Sequence, residues 1–180
     1  QYFESGEYDD ELGHIRLPEA EYGRIATERL VSELPYEQYR PNEVKKVSVR
    51  TNLQAQLRRN FDVGLKSGLV VSNGRLPQND NNVTGMLPSG LFGKGFSGTR
   101  PGFGSDWGFF RPGEVFAILT EQDITRFTGS VNANWRPTSH LSARATVGLD
   151  HVNRVDLQFQ ALEEGPGFLT FRRGRKSDNR

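Results

Sequence analysis

The sequence predicts an all-β chain: an antiparallel meander of long hairpins, with long irregular loops and one short helix over 18–34. Three observations carry this expectation. Two stretches, about 44–72 and 126–162, alternate apolar and polar residues with period two, as strands with one apolar and one polar face do. In both stretches the odd-numbered positions are the apolar ones, so a one-residue slip would turn every apolar side chain to the wrong face. Each stretch also reverses through a few residues, Arg58-Arg59-Asn60 in the first and Pro137-Thr138-Ser139-His140 in the second, whereas the segment between them is long.

Taken in order, the chain begins with strand-like alternation over residues 2–9, which Asp9-Asp10-Glu11-Leu12-Gly13 is expected to break. Gln1 to Ser5 has neither a basic region nor an apolar run, so no signal peptide is expected, and starting in mid-pattern suits a piece of a longer chain. From Pro18, the residues Ala20, Ile25, Ala26, Leu30 and Val31 suit one face of a helix, with Pro18 near its first turn. In the first hairpin Val47, Val49, Thr51, Leu53, Ala55 and Leu57 face one way, and Ser48, Arg50, Asn52, Gln54 and Gln56 the other. Phe61, Val63, Leu65, Ser67, Leu69 and Val71 continue the apolar face after the turn. Over 73–122 the pattern dissolves into a long loop, apart from Val115 to Leu119, which suits strand or helix equally. A segment of this length without structure is uncommon in a compact soluble domain. The second hairpin sets Phe127, Val131, Trp135, Leu141, Val147 and Leu149 on one face, and Arg144, Asp150, Arg154 and Asp156 on the other. Residues 163–180 form a polar, basic second loop, so the whole chain 1–180 reads as a single segment.

Composition narrows the function classes. The 180 residues carry a formal net charge of +1, so no global field argues for nucleic acid as a partner. Only 34% of residues are apolar, thin for a soluble globule but natural for a sheet that hides one face. The absence of cysteine excludes disulfides and thiolate metal sites. No apolar run reaches the length of a membrane helix, which leaves membrane strands open.

The chemical motifs are weak. Gly93-Lys94-Gly95-Phe96-Ser97-Gly98 matches a dinucleotide fingerprint, but no strand leads in and Pro101 follows, so a glycine loop is the better reading and no cofactor is expected. Asp80-x-Asn82-x-Thr84-Gly85 starts like a calcium loop, but Leu91 stands where a bidentate Glu is needed. Asn79, Asp80, Asn81 and Asn82 therefore read first as Asx-turns, with looser ligand contact as the sharper alternative and no metal site assigned. His14, His140 and His151 show no ligand spacing. Asp150 and Asp156 share a face with Arg144 and Arg154, which suits a charge ladder better than a glycosidase pair, so no enzyme is expected. Trp107, Phe109 and Phe110 beside glycines are candidates for ligand or partner contact; the plainer alternative is that they pin the long loop to its scaffold.

Short turns at one end and long loops at the other are the habit of outer-membrane barrels. Phe127 to Trp135 covers roughly 27 Å of strand at about 3.4 Å per residue. Tilted by roughly 40°, it rises about 20 Å, close to an apolar band of about 25 Å. Trp135 and Phe61 beside the short turns, and Phe127 at the far end, suit aromatic girdles. A β-sandwich needs the same alternation, so the physics alone leaves both architectures open.

The wording of the strands carries a resemblance. It lies in Ser5-Gly6-Glu7-Tyr8 with Leu12-Gly13, in Val49-Arg50-Thr51-Asn52-Leu53, and in Leu76-Pro77-Gln78-Asn79-Asp80-Asn81-Asn82. It continues in Arg126-Phe127-Thr128-Gly129-Ser130, Trp135-Arg136-Pro137, and Leu141-Ser142-Ala143-Arg144 leading to Gly148-Leu149-Asp150. These lines resemble the barrel portion of SusC/RagA-type TonB-dependent outer-membrane transporters. The resemblance implies an arc of a transmembrane β-barrel, without its plug domain, in the outer membrane of a Gram-negative-type bacterium. It implies import of an oligosaccharide, peptide or similar nutrient, with the TonB complex, a SusD-like surface lipoprotein and outer-membrane lipid as partners. A full barrel of that kind has about 22 strands, and this chain offers only a few. The alternative of another class is a soluble β-rich binding module that grips a ligand or partner with the Gly/aromatic loop 90–110.

Overall fold

A computed structural model describes residues 1–77, 85–91 and 110–160, and the backbone of 175–179. The fold is all-β, as the alternation requires: one sheet of six strands in sequence order. The strands are β1 (Tyr2–Leu12), β2 (Glu43–Arg58), β3 (Phe61–Arg75), β4 (Ile118–Thr138), β5 (Leu141–Gln160) and β6 (Arg175–Asn179). Among the described residues four short helices accompany them: α1 (Glu19–Arg29), α2 (Tyr36–Tyr39), α3 (Met86–Leu91) and α4 (Pro112–Phe116).

The differences from the sequence reading have local causes. β1 runs through the acidic stretch to Leu12, because it pairs with β2: Gln54 N–H donates to Gln1 (2.8 Å), Ser48 to Glu7 (3.1 Å) and Lys46 to Asp9 (3.1 Å). The helix expected over 18–34 stops at Arg29, where Leu30 takes the left-handed conformation with φ 56°. The run 115–119 is both things: α4 ends at Phe116 and β4 begins at Ile118. β4 thus starts inside the segment expected to be loop, and that segment also holds α3 and α4. The tail expected as loop contains β6, antiparallel to β5 with Asp156 opposite Asn179 and Gln160 opposite Arg175.

The described residues form two compact units. The first comprises Gln1–Asp10, Lys45–Asn73 and Asp123–Arg154. It is sheet, and it buries no apolar side chain; only Ser48 and Gly64 are buried in it. The second comprises Glu11–Val44, Gly74–Gln122 and Val155–Arg180. It holds the buried cluster of Leu17, Ile25, Leu34, Phe110, Val115 and Phe116, with Ile15, Tyr22, Tyr39 and Met86 against it. Glycine is needed at 113, where an added Cβ would stand 2.2 Å from Ile25 Cδ1. The buried Gln38 closes the cluster's polar side, donating to the Gly113 carbonyl (3.3 Å) and accepting from Arg29 (3.1 Å).

Candidate functional site

The first unit has two faces of opposite chemistry. On the odd-numbered face Val49, Leu53, Leu65, Leu69, Val131 and Leu149 are all exposed. The register of β3 and β4 is fixed by the backbone bond from Arg136 N–H to the Asn60 carbonyl (2.8 Å) and by Asn73 donating to Asp123 (2.6 Å). That register sets Phe61 beside Trp135 at the turn end of the apolar band. It sets Asn73 and Asp123 as its polar boundary at the other end. The band on β3, Phe61 to Val71, is about 34 Å of strand at about 3.4 Å per residue. β1 departs from the pattern. Because Glu7 and Asp9 lie opposite Ser48 and Lys46, its even-numbered residues share the apolar face. Tyr2, Tyr8 and Leu12 suit that face, whereas Glu4 and Asp10 do not.

The even-numbered face is a polar lattice. Arg126 donates twice to Asp150, at 2.9 and 2.5 Å, and Arg136 pairs with Asp62. Arg144 donates to Asn134 at 2.7 Å. Hollows interrupt the lattice at two glycines of β3. An amide-lined hollow of about 400 Å³ surrounds Gly64, with Gln54, Gln56, Asn132 and Asn134. A Cβ at Gly64 would stand 2.5 Å from Asn132 Nδ2, so the bare backbone is what lets that amide lie down. A second hollow of about 450 Å³ surrounds Gly68, with Arg50, Asn52, Lys66, Arg126, Thr128 and Ser130. Both positions are plain alternation in the sequence, but a glycine within a strand signals close approach of another group. That was the available clue to the hollows.

The residues singled out from sequence fall differently. Phe110 is 8% exposed and packs in the second unit's buried cluster. Trp107, Phe109, Asn79, Asp80, Asn81 and Asn82 lie outside the described residues, as do the glycine fingerprint and most of loop 90–110. The two carboxylates weighed as a catalytic pair each have another partner: Asp150 accepts from Arg126, and Asp156 accepts from Gln122 (2.9 Å). Among the described residues no group of three or more His, Asp or Glu side chains is placed to hold a metal ion.

In the second unit, Arg75 is nearly buried. It donates to Glu43 at 2.7 Å and lies over the Tyr36 ring at 5.7 Å, tying β3 to β2 and α2. Glu21 on α1 accepts from Arg24 at 3.0 and 2.9 Å and from Gly113 N–H at 3.4 Å. Burial pushes its carboxyl up, but the Arg24 bonds and charge, the Gly113 amide and the charge of Arg111 outweigh this and hold it below the usual carboxylate range.

No helix among the described residues is long and apolar enough to cross a membrane, which says nothing of crossing by strands. Comparison with protein-family models, with curated proteins and with solved structures found no match to this chain.

Proposed function

We propose that this chain is a stretch of wall from a SusC/RagA-type TonB-dependent transporter in the outer membrane, a protein that imports an oligosaccharide, peptide or similar nutrient. One observation carries the reading: the first unit buries no apolar side chain, yet one face of its β2–β5 strands carries a broad apolar band. A sheet in water must cover such a face with a second layer, and contiguous apolar patches beyond a few hundred Å² mark interaction surfaces. Lipid supplies the cover in an outer-membrane barrel, where strands alternate apolar-out and polar-in. The in-register band, the aromatic pair at the short turns, and the Arg–Asp lattice facing the other way all support this assignment. On this reading the even face lines a water-filled lumen, and the TonB complex and a SusD-like lipoprotein act on parts of the transporter beyond the wall itself.

The test is fractionation of source cells with an antibody raised against this chain. The expected result is recovery in the outer membrane, with gel mobility that changes on heating. Recovery in the soluble fraction, without heat-modifiable mobility, would sink the assignment.

One observation favours a second reading, the soluble binding module. Glu4 and Asp10 share the apolar face of β1, and the β1–β2 register sets Glu4 beside Thr51 in mid-band. Carboxylates at membrane depth are costly, so a protein surface suits this strand better than lipid does. A monodisperse, folded chain in detergent-free buffer would favour that module.

A further inference from the structure

We infer that the hollow at Gly68 is an oxyanion site, built to take a carboxylate or sulfate group of a small ligand. Glycine at 68 lets the Thr128 and Arg50 side chains lie close over β3 beside the hollow: a Cβ there would meet Thr128 Oγ1 at 3.0 Å and Arg50 Cγ at 3.9 Å. Around that gap stand three cations, Arg50, Lys66 and Arg126, with the neutral donors Asn52, Thr128 and Ser130.

The charges there do not cancel. Arg126 is held by Asp150 and Lys46 by Asp9, while Glu7 accepts from the neutral Ser48 and keeps its charge, one anion against the two cations Arg50 and Lys66. Among the described residues, Arg50 and Lys66 make no ion pair. Elsewhere on this face Arg136 has Asp62, and Arg144 donates to the neutral Asn134. Two unmatched cations beside a void with hydroxyl donors form a positive concavity, and its complement is an anion. A guanidinium presents a planar fork to two oxygens of a carboxylate or sulfate, and an ammonium adds a point charge from a second direction. The hollow of about 450 Å³ admits a small organic acid rather than a folded partner. It lies on the polar face, so it faces water whichever phase covers the apolar side.

The test is calorimetric titration of the full 180-residue chain, under conditions where circular dichroism shows the sheet, at low ionic strength. Citrate is the carboxylate probe and inorganic sulfate the sulfate probe; the tighter of the two identifies the group. The expected result is one site with Kd below about 1 mM for at least one probe. Arg50→Gln and Lys66→Gln should each weaken it by about ten-fold. Gly68→Val should abolish binding while leaving every charge in place, since its side chain would push Thr128 and Arg50 aside and crowd the hollow. Arg58→Gln, the same loss of charge at the far end of β2, should change binding by less than about two-fold. The site is overturned if neither probe binds, if Gly68→Val binds like the parent chain, or if Arg58→Gln weakens binding as much as Arg50→Gln, which would indicate diffuse charge alone.

Discussion

Single residues show where local chemistry overrides the pattern. Leu30 ends α1 in the left-handed conformation with φ 56°, yet its side chain is 92% exposed. A leucine there bears a steric cost of roughly 1–2 kcal/mol that glycine avoids, and nothing is lost by removing an exposed side chain. Leu30→Gly should therefore stabilise the second unit by about 1 kcal/mol, read as a higher denaturation midpoint; a lower midpoint would mean that the leucine makes a contact worth more than the strain. Glu21 gives a prediction of the opposite kind. Its carboxyl is held below its ordinary value, so the stability it contributes is fully present above that ordinary value. This contribution is lost as pH falls through the lower folded value. Hydrogen exchange of the α1 amides should accelerate over that acid window in the parent chain, and Glu21→Gln should flatten the pH response. An identical profile in the two proteins would remove Glu21 as the cause. Neither feature could be read from sequence: Leu30 looked like one more residue of a helical face, and the partners of Glu21 include Gly113, distant in the chain.

At the scale of the element, the alternation was nearly sufficient. Period two specified β2, β3, β4 and β5 because each side chain's face follows from its parity, and parity survives any error in strand ends. What alternation missed depended on partners. β1 continues through Asp9 because Lys46 meets it, and β6 exists because β5 offers it an edge. The helix boundaries turned on a single backbone angle at Leu30. The hollows at Gly64 and Gly68 left only their glycines as a mark, because a missing side chain does not disturb an apolar–polar alternation. The faces themselves are testable with neighbours in sequence. Val131 is 47% exposed on the apolar face and Ser130 lies on the polar one. If lipid or detergent covers the apolar face, Val131→Lys should cost about 2–4 kcal/mol in that phase. Ser130→Lys, on the water side, should stay within about 0.5 kcal/mol. Unfolding midpoints in detergent measure both, and equal effects would remove the two-phase assignment.

For the whole molecule, the uneven placing of its core has a consequence for folding. The second unit owns the buried cluster around Leu17, Ile25 and Phe116, and its backbone is closed by bonds such as Leu17 N–H to the Tyr39 carbonyl (2.9 Å). The first unit has long strands but no apolar burial, and hydrogen bonds between strands exposed on both faces contribute little net stability in water. Its stability must come from an apolar phase or a partner surface laid against Val49, Leu65 and Val131. Amides of Val49–Leu53 and Phe127–Trp135 should therefore exchange rapidly in plain buffer and become protected when detergent passes its micelle concentration. Those of Ile25 and Tyr39, inside or beside their own core, should be protected in both conditions. Exchange with mass-spectrometric readout of the intact 180-residue chain distinguishes the cases. Strong protection of the first unit's strands in detergent-free buffer would show that the apolar face is covered by protein, and would move the assignment from membrane wall to soluble module.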